Sequence, residues 1–183
     1  MKSKIISMLL IFSIVFASVP KVSALEVTNN SLNENVTIEV SEGSKAPKKF
    51  FENPSDVING NLYSTSKPTK FWDLSSSDYN GNLVEVRASW LYTNYYFSPN
   101  SSGAINLDYW IDPVNATGTK MTIKIYNIST GKFVSTYTTA GAPTGACVTF
   151  RGLNTNQHYA IAFQAVRDPL AYNAVEGTIV VYH

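Results

Sequence analysis

A chain of 183 residues with 14 basic and 13 acidic side chains, a formal net charge of +1, lacks the clustered positive charge that holds nucleic acid. Its single cysteine, Cys147, excludes an intrachain disulfide, and with only His158 and His183 beside it there is no Cys/His zinc site. Eleven Tyr, nine Phe and three Trp supply enough apolar area for one packed core.

The first residues assign a compartment. Lys2 and Lys4 precede an uncharged apolar run from Ile5 to Val19, and Val22-Ser23-Ala24 closes it with the small residues that a signal peptidase reads. Residues 1–24 are expected to be a secretory signal, and the mature chain to begin at Leu25 as an extracellular protein. The alternative is an uncleaved anchor. Crossing a bilayer takes about 20 apolar residues, whereas this run stops at Pro20-Lys21. The membrane is therefore expected as a partner only through the signal, before cleavage. Loss of Lys2, Lys4 and Lys21 leaves 11 basic against 13 acidic groups, a net charge of −2, which gives no electrostatic case for nucleic acid or an anionic membrane. Asn29, Asn35, Asn100, Asn115 and Asn127 sit in Asn-x-Ser/Thr sequons, which take a glycan only in a eukaryotic secretory pathway.

Residues 25–69 read as a mostly irregular leader: Asn, Ser, Glu and Thr dominate its start, and Val36 to Val40 alternates well enough for one short strand. Residues 70–183 read as a β domain. Leu83 to Phe97 places Val84, Val86, Ala88, Trp90 and Tyr92 on one side and Glu85, Arg87 and Ser89 on the other. Ala104 to Ile111 sets Ile105, Leu107, Tyr109 and Ile111 against Asn106, Asp108 and Trp110, and Asp112-Pro113 ends it. Lys120 to Ile128 sets Met121, Ile123 and Ile125 against Lys120, Thr122 and Lys124. Thr130-Gly131 turns it into a hairpin with Lys132 to Thr139. Cys147 to Arg151, Tyr159 to Val166 and Thr178 to Tyr182 complete the series, the first two expected to form a hairpin.

No segment keeps a helical period, and breaks of Gly, Pro, Asn and Ser separate the strands. Two packed antiparallel sheets, an all-β sandwich of seven to eight strands with an immunoglobulin-like or jelly-roll-like layout, are the expected fold. Leu153, six residues before Tyr159 at the head of an apolar strand, resembles the strand-F tyrosine corner of immunoglobulin-like and fibronectin type III domains, with Thr155-Asn156 where Pro-Gly is usual. The Leu91–Phe97, Ile123–Tyr126, Val148–Leu153 and Glu176–Ile179 runs resemble small exported sandwich proteins of Gram-positive bacteria. The signal looks Gram-positive too, a setting in which the sequons would stay bare. That resemblance implies a compact extracellular domain and transfers no catalytic residue.

Chemistry is scarce. His158 sits at a strand mouth with no Gly-x-Ser-x-Gly motif in the chain, so it reads as a solvated side chain. Strand spacing sets Cys147 away from His158, which removes a thiol–imidazole pair. Asp73, Asp78, Asn80, Asn82 and Glu85 cluster in a Ser- and Gly-rich stretch of oxygen donors that calcium accepts, although the spacing is not that of an EF-hand and polar turn residues explain the same letters. No other cofactor is expected. Asp108 and Asp112 share a face, about 13 Å apart at ~3.3 Å per residue, too far for the paired acids of a glycosidase, which sit about 5–9.5 Å apart.

What remains is aromatic. Trp110 with Asn106 and Asp108 on one outward face, extended by Tyr95, is a candidate platform on which a sugar ring stacks while Asn and Asp bond its hydroxyls. Burial in the sandwich is the stronger account of Trp110, and Trp72 and Trp90 read as core. The reading is a secreted, non-catalytic binding or surface-interaction module whose partner is an extracellular glycan or cell-surface component. A secreted toxin or bacteriocin-like factor is the alternative, and a hydrolase of unknown chemistry ranks last, because sandwiches host many activities.

Overall fold

A computed structural model describes residues 35–43, 45–51, 63–166 and 173–183. The expected signal and the Asn29 sequon lie outside the described residues, and no helix among the described residues is long and apolar enough to cross a membrane. The strands are β1 (Thr37–Ser41), β2 (Tyr63–Ser64), β3 (Lys70–Phe71), β4 (Tyr79–Val86), β5 (Leu91–Thr93), β6 (Tyr95–Tyr96), β7 (Ile105–Pro113), β8 (Met121–Asn127), β9 (Lys132–Thr138), β10 (Thr144–Arg151), β11 (Tyr159–Ala165) and β12 (Val175–Tyr182). Eight of them run five residues or more, as the alternation predicts; β2, β3, β5 and β6 are short additions.

Two antiparallel sheets of five strands form a sandwich. The first has the order β1-β10-β7-β12-β4 and the second β2-β5-β11-β8-β9, with β3 and β6 paired in parallel beside them. The strand expected at Val36–Val40 is the edge of the first sheet, where Ile38 pairs with Phe150 and is buried. Ile105, Leu107, Tyr109 and Ile111 of β7 point inward and are all but completely buried, as are Met121, Ile123 and Ile125 of β8 opposite them. Period-two alternation places each set on one sheet face, and burying those faces against each other is the main stabilising term.

Two expectations fail, for different reasons. Leu83 to Phe97 is not one strand: β4 ends at Val86, and the chain then crosses to make β5 in the second sheet and β6 in the small pair with β3. Leu83 pairs with Gly177 and Val86 with Val175, so β4 carries one residue more than β12 across this stretch. That bulge, with Glu85 at φ 46°, turns Val84 out to 42 % exposure while Leu83 and Val86 are both fully buried. Trp90, expected in the core, lies beyond the crossing and packs with Tyr92 in a second, smaller cluster apart from the main core.

The second failure is the hairpin of β10 and β11, which lie in opposite sheets. The corner between them is held by Tyr159, whose hydroxyl oxygen accepts the Asn154 N–H at 2.9 Å, above a buried Leu153. The β8–β9 hairpin forms as expected.

Candidate functional site

On the outer face of the first sheet, Asn106, Asp108 and Trp110 stand in a row on β7, as the alternation places them. Each is already engaged. The Asn106 Oδ1 accepts the Thr149 hydroxyl at 2.8 Å, and the Asp108 Oδ1 accepts the Tyr182 hydroxyl at 3.0 Å. Trp110 donates its indole N–H to Asp112 Oδ2 at 2.9 Å. Its ring also lies against Gly145 of β10, where a Cβ would come within 2.5 Å of Trp110 Cε3.

The leader completes the cover. Residues 45–51 cross this face as a strap bonded to the side chains beneath it. The Lys45 N–H donates to Asp108 Oδ2, the Thr178 hydroxyl donates to the Pro47 carbonyl, and Asn82 bonds the Phe51 N–H at 2.9 Å and its carbonyl at 3.3 Å. Lys45 Nζ lies 3.8 Å from the Tyr182 ring centroid and Lys48 Nζ 4.3 Å from that of Trp110. Trp110 is thus packed between Gly145 and the strap, and Asp108 is 2 % exposed. Cys147, on the same face, has its Sγ 3.4 Å from the Tyr182 hydroxyl, and burial pushes its thiol up from the ordinary range.

Tyr95 does not extend this row. It belongs to β6, packs edge-on against Trp72 and Tyr79 at centroid distances of 5.5 and 5.9 Å, and lines a separate cleft of about 360 Å³ with Lys67, Lys70 and Asn94. Trp72 leans on the main core, as expected.

Four of the five oxygen donors considered for calcium are engaged with different partners. Asp73 folds back on its own turn, accepting the Ser75 N–H and hydroxyl at 2.9 and 2.6 Å and the Ser76 hydroxyl at 2.9 Å, and these bonds hold its carboxyl below the usual range. Asp78 pairs with Lys45 at 3.7 Å, Glu85 with Arg87 at 2.8 Å, and Asn82 with the strap. Asn80 lies on β4, opposite Val180. Among the described residues no group of three or more His, Cys, Asp or Glu side chains is arranged to hold a metal. The Asn127 sequon is structural: its side chain is fully buried, accepts the Thr130 N–H at 3.0 Å and donates to Gln157.

His158 is not simply solvated. Its Nδ1 lies 3.1 Å from the Ser98 hydroxyl, and its ring packs against Tyr96 and Phe71 at 5.1 and 5.6 Å.

The outer face of the second sheet holds what the sequence reading missed. Tyr92, Tyr126, Ala160 and Ala162 form a second apolar cluster there, with Trp90 and Phe133 packed on it. Ala160 and Ala162 of β11 leave a shelf on which the rings lie. Trp90 and Phe133 are 5.4 Å apart between centroids, Phe133 and Tyr126 5.3 Å, and Tyr92 stacks parallel to Phe133 at 6.3 Å. Lys124 Nζ sits 4.6 Å from the Trp90 centroid and 5.0 Å from that of Phe133, and Lys67 Nζ 4.5 Å from that of Tyr126. The bond with Tyr126 raises the Lys67 pKa above its ordinary value. Tyr126 has the same strand parity as Lys124, and Trp90 as Tyr92, signals that were available; the change of sheet between β4 and β5 was not.

No family model and no curated protein matches the chain. Among solved structures it is similar to a family GH115 4-O-methyl-alpha-glucuronidase with specificity for decorated arabinogalactans, at 11 % identity and a TM-score of 0.35, covering 64 % of this chain. The chain spans 18 % of the length of that enzyme. A likeness this loose does not bear on activity.

Proposed function

We propose that this chain is an exported, non-catalytic binding module that takes a glycan on the outer face of its second sheet. The observation that carries the reading is the aromatic surface of Trp90, Phe133, Tyr92 and Tyr126 seated on an alanine shelf. Trp90 and Phe133 are its partly exposed members, and flat apolar rings with polar handles are what sugar rings stack on. The Trp110 row is the weaker platform, because the strap lies across it. Export rests on the basic, apolar and small-residue order of residues 2–24, and the Gram-positive setting on the resemblance of the signal and strand motifs.

Affinity electrophoresis through a panel of soluble polysaccharides tests the reading. The wild-type domain is expected to be retarded, Trp90→Ala to run freely, and Trp110→Ala to behave as wild type. Equal retardation of wild type and Trp90→Ala, or retardation of neither, would falsify the reading.

A further inference from the structure

The strands of the two sheets differ in charge. The strands of the first carry Glu39, Glu85, Asp108, Asp112 and Glu176 against a single Arg151. Those of the second carry Lys124 and Lys132 and no carboxylate. Two more cations flank the aromatic surface of the second sheet. Lys67 lies over Tyr126, and Lys70 shares with Lys67 the cleft of about 360 Å³ beside it. Among the described residues Lys67 and Lys124 face aromatic rings, not acids, and Glu85, at the crossing into this sheet, is bound by Arg87 at 2.8 Å.

We infer that the ligand of this face is an acidic polysaccharide, its sugar rings stacking at Trp90 and Phe133 and its anionic groups answered by Lys124, Lys67 and Lys70. This rests on the glycan reading above and adds the charge of the ligand. A neutral polymer takes only hydrogen bonds from these ammonium groups, whereas an anionic one adds charge-assisted bonds that are roughly twice as strong. Lysine stems lying flat on aromatic faces swing aside at little cost, because both the ring contact and the solvent exposure of the ammonium survive small rotations. An anionic chain crossing the surface gains the Lys contacts together with the stacking. The same face of rings and lysines also suits an anionic lipid surface. The recessed cleft beyond the rings, with Asn94 and Tyr95 in its lining, favours a chain that can enter it over a flat bilayer.

Polygalacturonate and its fully methyl-esterified form share one backbone and differ in charge, so they are the probes. The intact domain is expected to bind the acid form about tenfold more tightly, the worth of two exposed ion pairs within their usual range. That preference is expected to shrink as salt rises from about 50 mM to about 500 mM. The double variant Lys67→Gln/Lys124→Gln keeps its binding to the ester and loses the preference, whereas Trp90→Ala loses both polymers. Equal affinity for acid and ester overturns the charge inference and leaves the glycan reading standing. No binding to either polymer overturns both. Capture by phosphatidylglycerol vesicles with neither polymer bound overturns both in favour of a lipid surface.

Discussion

Tyr182 donates its hydroxyl to a carboxylate that is almost wholly enclosed, Asp108 at 3.0 Å, and the other oxygen of that carboxylate takes the backbone N–H of Lys45. One acid thus ties the last strand and the leader strap to the centre of the first sheet. Removing it strands two donors, each costing about 1–3 kcal/mol when left unpaired out of water. Asp108→Ala is expected to lower unfolding stability by about 3 kcal/mol and to open residues 45–51 to proteolysis, whereas Asp108→Asn, which keeps an acceptor oxygen, costs about half as much. Urea titration and limited digestion read both effects. An Asp108→Ala protein as stable as wild type, with the strap still resistant, contradicts this account.

The Tyr159 hydroxyl holds the corner between the sheets by accepting the Asn154 N–H at 2.9 Å. Tyr159→Phe keeps the ring in the core and removes that hydroxyl. Asn154 is exposed, so water partly replaces the lost partner. The expected loss is about 1 kcal/mol, the usual net worth of one such bond, measured as a lower urea midpoint at unchanged slope. A changed slope instead would mean that the corner also shapes the unfolded chain.

Gly177 is where β12 passes closest to β7: a Cβ there would lie 1.9 Å from the Trp110 carbonyl oxygen and 2.9 Å from Ile111 Cα. Both are backbone atoms, so neither yields by a side-chain rotation. Gly177→Ala is expected to cost about 3 kcal/mol or more, at the top of the range for overpacking, because the sheet itself must part. The bulge in β4 faces the same stretch, so the variant also disturbs the register of Leu83 and Val86. Thermal melting gives the size of the loss, and a midpoint within a degree of wild type would show that the strands part without cost.

What the sequence made legible was parity, and it held wherever a strand ran without interruption. Ile105, Leu107, Tyr109 and Ile111 went inward as alternation demands, and with them the outward row of Asn106, Asp108 and Trp110 followed. Parity failed at Glu85, where one inserted residue with φ 46° leaves Val84 outward and Val86 inward, and it was lost again at the crossing to the second sheet, beyond which Trp90 joins Tyr92 on the outer face. No local composition marks that insertion, since its partner is Gly177 some ninety residues on. The strap over Trp110 was equally hidden. Its bonds use the backbone of residues 45–51, which carry no period to read, and side chains on strands far along the chain. Sheet assignment was the other blind point, because β10 and β11 look like a hairpin until the corner at Tyr159 sends them to opposite layers.

Stability should decline steeply in alkali. Burial is the largest cause raising the pKa of Tyr79, Tyr109, Tyr182 and Cys147, so the folded chain favours their neutral forms. Unfolded, the same groups ionise near their ordinary values, about 10 for tyrosine and about 8.5 for cysteine. Above those values the unfolded chain binds fewer protons than the folded one, and stability falls as pH rises. Below them both states are neutral at these positions and the contribution is fully present. The melting temperature is therefore expected to take no slope from these groups between about pH 6 and 8 and to drop steeply above about pH 10. Tyrosinate absorbance is expected to appear together with the unfolding signal, not ahead of it. Tyr109→Phe, which removes one buried titrating hydroxyl, makes the decline shallower. Full tyrosinate absorbance from a protein that still melts cooperatively would show that these hydroxyls reach solvent without unfolding.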